Sequence, residues 1–184
     1  MRLMRRIACL TAAAACGLAM AGCQTGEPAI VNGQAALPEQ ENSAAFLDRI
    51  SLLPNVSEND AMRGVLMLLD GKDEATNFAE RVEKLRVRRV IAASWDCDAG
   101  RPISKGKYAY MIYQATKLPG GVTLTVIGPT QRYCLRELQY REVMSEGWTF
   151  SNVTGMEYVA VLGRADVYAR TGRLPDKSGD VEIR

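Results

Sequence analysis

The chain has 184 residues, 23 of them Lys or Arg and 21 Asp or Glu, and it contains no histidine. A near-neutral balance gives no general attraction to nucleic acid. The missing imidazole removes Ser-His-Asp and Cys-His catalysis, His zinc sites and the commonest neutral-pH general base, so the expectation is a non-enzyme without a cofactor.

In chain order, a short basic segment with Arg2, Arg5 and Arg6 precedes the Ala-rich run IACLTAAAACGLAMAGC. That run is too short and too weakly apolar to hold a helix across a bilayer, which needs about 20 strongly apolar residues. A basic head, an apolar middle and small residues mark residues 1–22 as a secretory signal peptide. The stretch LAMAGC, ending in Cys23, resembles the lipobox of bacterial lipoproteins. The resemblance implies cleavage before Cys23 and lipidation of its thiol, hence a membrane anchor of the acyl type. Gln24 stands where Asp tends to hold such lipoproteins at the inner membrane, so the implied location is the envelope, at the outer membrane facing the periplasm.

Cleavage would remove three arginines and leave 20 basic against 21 acidic residues. It would also leave Cys97 and Cys134 as the remaining thiols. An exported compartment permits a disulfide between them; two buried free thiols are the other reading. Residues 23–42 then read as the lipidated cysteine and a flexible tether rich in Gly, Pro, Gln and Glu. Residues 43–170 form one small domain, and residues 171–184, polar and broken by Gly and Pro, read as a disordered tail.

Inside the domain helical period dominates, so the fold class is mainly α. SAAFLDRISLL aligns Phe46, Leu47, Ile50 and Leu53 and stops at Pro54. NFAERVEKLRVRRV aligns Phe78, Val82, Leu85 and Arg89, and TQRYCLRELQYREVM aligns Tyr133, Leu135, Leu138 and Met144 behind a Thr130 cap. GGVTLTVIG breaks the period: Val122, Leu124 and Val126 alternate with Thr123 and Thr125, which predicts one short strand.

Three further stretches align with one another. They are NVSENDAMRGVLMLL from Asn55, PISKGKYAYMIYQAT from Pro102 and NVTGMEYVAVLGRAD from Asn152. Val56, Ile103 and Val153 lead, each followed by a hydroxyl residue, Ser57, Ser104 or Thr154, that can cap a helix. Asp60, Lys107 and Glu157 come three residues after the cap. An acid there suits the helix dipole, which Lys107 does not. Ala61, Tyr108 and Tyr158, then Val65, Ile112 and Leu162, then Leu68, Ala115 and Ala165 form one apolar stripe stated three times. A near-constant spacing of this length is a repeat signature, and the second and third copies follow another helix and a loop carrying Trp95 or Trp148.

A helix, a loop and then Pro-Ile-Ser opening a second helix resembles the S-layer homology (SLH) repeat, with RPISKGKYAYMIYQA the nearest match. The resemblance covers about residues 43–168 as three helix-loop-helix repeats. It implies a pseudo-threefold assembly whose grooves between repeats bind cell-wall polysaccharide without catalysis. The family's motif arginine falls at Glu58, Lys105 and Gly155, of which Lys105 alone keeps a positive charge.

The candidate ligand residues are Trp95, Asp96, Asp98, Arg101, Lys105 and Lys107. An aromatic face, carboxylates and cations in one loop can hold a sugar. The same loop also reads as a turn over a half-buried Trp, or as an Asp-x-Asp pair without the other ligands of a calcium loop. Lys105 and Lys107 read as groove cations or as solvated helix residues, and Trp148 as a core cover. Arg81, Lys84, Arg86, Arg88 and Arg89 read as a charged outer face or as a contact for lipid phosphates. The expected partners are the membrane, through the lipid, and peptidoglycan or other cell-wall glycan. Docking of another envelope protein is the alternative.

Overall fold

The structure, a computed structural model, describes residues 42–174. The expected signal peptide, Cys23, nearly all of the tether and the tail beyond residue 174 lie outside the described residues. The fold is mainly helical. Its elements are α1 (Ser43–Ser51), α2 (Glu58–Asp70), α3 (Phe78–Val87), α4 (Lys105–Thr116), α5 (Val122–Ile127), α6 (Gln131–Tyr140) and α7 (Gly155–Thr171). None of these helices is long and apolar enough to cross a membrane.

Helix starts follow local chemistry. Ser57, Ser104 and Thr154 each accept a hydrogen bond from the backbone N–H three residues on, and Asn42, Asn77 and Thr130 cap α1, α3 and α6 likewise. Each satisfies one of the orphan donors of a helix start. The ends of α3 and α6 come earlier than their apolar period predicts. Arg89 and Glu142 take positive φ, and Val90 and Val143 turn back to donate to the carbonyls of Leu85 and Leu138. Arg89 is therefore exposed outside its helix, while Met144 reaches the core from beyond α6.

The three aligned stretches meet on one axis. Val56 N–H donates to the Val153 carbonyl (3.0 Å), Val153 N–H to Ile103 (3.1 Å), and Ile103 N–H to Val56 (2.8 Å), which closes a ring. All three side chains are fully buried. One layer out, the first-turn amides of Glu58, Lys105 and Gly155 donate to the carbonyls of Arg101, Ser151 and Leu53. Each copy thus satisfies a helix-start amide with the loop of its neighbour. The helices that follow, α2, α4 and α7, pack on one another, and α3, α6 and α1 pack outside α2, α4 and α7 in turn.

The stripe positions fill the centre. Ala61, Tyr108 and Tyr158 are fully buried, with the two tyrosine rings stacked 5.1 Å apart. Tyr108 donates its hydroxyl proton to the Tyr158 carbonyl and Tyr158 to the Asp60 carbonyl, so neither polar tip is orphaned. Gly64 is required there, because a Cβ on it would lie 1.6 Å from the Tyr158 hydroxyl oxygen.

Burial holds both phenols well above the ordinary tyrosine range. The folded state keeps these protons where the unfolded chain releases them, so stability is full below about pH 10 and falls as pH rises above it. Alkaline titration should show the phenolate absorbance of two tyrosines appearing only with the loss of helical circular dichroism. A smooth titration of every tyrosine before unfolding would contradict the buried stack.

The expected strand is instead α5. Alternation builds a strand only beside a partner, and among the described residues there is no named strand to pair with. The segment forms one turn and a half of helix between Gly121 and Gly128, anchored by buried Leu124.

A candidate glycan-binding cleft between the second and third copies

The residue just after each cap faces the third helical residue of the next copy. Glu58 is 1% exposed and accepts from Lys107 Nζ (2.6 Å) and from the Asp98 backbone N–H (3.0 Å). Lys105 is also buried. Its ammonium donates to Ser145 Oγ (2.8 Å) and the Glu146 carbonyl (2.9 Å) and pairs with Glu157 (2.8 Å). The two pairs occupy equivalent positions with reversed charge. The third cannot form, because Gly155 stands at that position. Asp60 turns instead to the Ser57 hydroxyl, with Arg49 at 3.7 Å, and its Oδ1 has no hydrogen-bond partner.

This geometry redistributes the sequence candidates. Lys105 spends its three donors inside the fold, so it is not a groove cation. Lys107 bridges Glu58 and the Asp96 carbonyl (3.1 Å) beneath the Trp95 ring, 5.5 Å from its centroid. Trp95 is half-buried against Tyr110, with ring centroids 5.2 Å apart. The structure therefore favours the turn reading of this loop over a free stacking face. Asp96 and Asp98 are exposed. Arg101 bonds the Asp96 carboxylate (2.8 Å), which holds that carboxyl below its ordinary range, and Asp98 accepts from Gly100 N–H in a local turn.

Cys97 and Cys134 are separate free thiols, not a disulfide. Burial pushes the Cys134 thiol up to about 12, and burial followed by the Glu58 charge raises Cys97. Most of the basic run at α3 is internally partnered. Arg81 binds Asp73, Lys84 pairs with Glu80, Arg88 with Asp70, and Arg86 donates to the Trp95 carbonyl.

The open surface lies one copy further on. Trp148 is 72% exposed and Phe150 76%, with rings 6.2 Å apart and nearly parallel. This corrects the expectation of Trp148 as a core cover. KLRVRRVIAASW and ELQYREVMSEGW align so that Trp95 and Trp148 are equivalent. Tyr110 of α4, which covers Trp95, is matched in α7 by Ala160, which is too small to cover Trp148. Beside this pair an open cleft of about 530 Å³ is lined by Arg101, Pro102, Ser104, Gln131, Thr149, Phe150 and Asn152. It joins the loop and cap of the second copy to the loop of the third. The alignment of the two tryptophan segments was the signal that could have found it. No protein-family model, curated protein or solved structure matches the chain.

Proposed function

We propose that this is a lipid-anchored cell-envelope protein whose SLH-like helical domain binds cell-wall glycan in the cleft between its second and third copies. The observation that carries the reading is the cleft itself. Ser104, Gln131, Asn152 and Arg101 line it beside an exposed stacked aromatic pair. A sugar presents apolar faces to aromatic rings and hydroxyls to polar side chains of this kind, and exposed aromatics of this size are uncommon without a partner. The closed ring of Val56, Ile103 and Val153 supports the threefold likeness. The lipid anchor rests on LAMAGC alone, which lies outside the described residues.

The test is co-sedimentation of the full chain with purified peptidoglycan sacculi. Trp148→Ala with Phe150→Ala should weaken binding by about thirtyfold, the scale of a hot-spot aromatic, with helical content unchanged. Failure of the unaltered protein to sediment, with an envelope protein co-purifying through the same residues, would replace this reading with the docking of that protein.

A further inference from the structure

The connection between the second and third copies carries an inserted helix that the connection between the first and second lacks. A helix of six residues is too short to persist alone. This one is held by Leu124 and by the Gly121 N–H, which donates to Glu137 of α6 (3.3 Å). Its other apolar residues face outward: Val122 is 81% exposed, Val126 77%, and Ile127 is also exposed. Val122 and Val126, four apart, share one face.

The neighbouring surface of α6 presents Arg132, Arg136 and Tyr140 at successive four-residue steps, all exposed. Lys117, exposed at the end of α4, adds a third cation. Between residues 117 and 141 the single acid is Glu137, and Arg141 holds it at 2.7 Å while also donating to the Pro119 carbonyl. Residues 117–141 therefore present exposed aliphatic side chains, a tyrosine and three exposed cations, and the next exposed acid along the chain is Glu142.

We propose that α5 and the outer stripe of α6 rest on a bilayer surface containing anionic phospholipid. Aliphatic side chains enter the boundary between headgroups and acyl chains, tyrosine sits at headgroup level, and Lys and Arg meet phosphates. Charge decides the occupant. A second copy seated on the same patch would set Arg132 and Arg136 against themselves, whereas anionic headgroups complement them. On α3 and its C-cap, by contrast, Arg81, Lys84 and Arg88 each have an acid partner, which leaves exposed Arg89 as the cation beside Val87. The inference is independent of the glycan cleft and of whether Cys23 is lipidated.

Hydrogen exchange of the full chain, free and mixed with vesicles, tests it by a local readout. On vesicles of phosphatidylcholine with phosphatidylglycerol, amides of residues 122–127 should exchange about tenfold more slowly or less, while α3 is unchanged. Val126→Asp with Ile127→Asp should abolish that protection, and Arg132→Glu with Arg136→Glu should reduce it strongly. Equal exchange with and without anionic vesicles overturns the proposal. So does protection that grows with protein concentration alone, which would assign the patch to a second copy.

Discussion

Gly155→Ala is expected to destabilise the domain by at least about 3 kcal/mol, at or beyond the upper end of ordinary overpacking. A Cβ at this position would lie 1.8 Å from the Ile50 carbonyl oxygen and 3.0 Å from that of Leu53. Both obstacles are backbone atoms, so no rotamer change relieves them. Ile50 is itself fully buried, and α1 cannot retreat without opening the core. Leu53 also accepts the Gly155 N–H in the second layer around the axis, so moving it breaks that hydrogen bond. Against the roughly 5–15 kcal/mol of a typical domain this is a severe loss. Gly163→Ala is the control on the same helix. Its Cβ would meet open space, and replacing an exposed helical glycine should gain about 0.5–1 kcal/mol. Urea midpoints that place the two variants together would contradict the close approach of α1 to α7.

The clash explains a departure visible in the sequence. Copies two and three have long connections between their helices, residues 88–104 and 141–154, while the first has only residues 52–57. With so short a connection, the end of α1 lies where the other copies place a charged side chain. Glycine at position 155 is what the missing loop demands, and the loss of the third ion pair follows from it.

Much of this was legible because it is local. Caps at Ser57, Ser104 and Thr154 depend on one hydroxyl and one turn of backbone, and the stripe depends on helical period. The placement of Val56, Ile103 and Val153 was legible in part. Their equivalence came from alignment, but the ring of hydrogen bonds that joins them across copies did not. The α5 segment misled because alternation reports two faces and not whether a partner strand exists. The charged pairs were in the alignment unread: Glu58 with Lys107 and Lys105 with Glu157 carry opposite signs at matching offsets. Reading Lys105 and Lys107 as surface cations ignored that residues after a cap point toward the next copy. The exposure of Trp148 depends on the change from Tyr110 to Ala160, a detail that matters only once the packing is known.

Lys107→Met is expected to cost about 3–5 kcal/mol, the range for stranding a buried charge. Glu58 would keep the Asp98 N–H but lose its cation, with no route to water. Adding Glu58→Gln should recover much of the loss, since a neutral amide can still accept from Asp98 and leaves no buried charge. Lys72→Met is the comparison. That lysine pairs with Glu74 in solvent, where water and salt screen the pair, so its loss should leave the midpoint nearly unchanged. A Lys107→Met midpoint no lower than that of Lys72→Met would mean that Glu58 is not buried as described. The pair also has an organising role beyond its strength. The first and second copies each offer the residue after the cap to the third helical residue of the next, which makes Glu58–Lys107 and Lys105–Glu157. Were the copies arranged around the axis in the opposite sense, Lys105 would face Asp60, but Glu58 would face Glu157, acid against acid. Like charges at buried positions cost far more than a surface mismatch. The observed order, with two attractive pairs against one attractive and one repulsive, is therefore favoured by charge around a ring whose backbone hydrogen bonds are the same at every step.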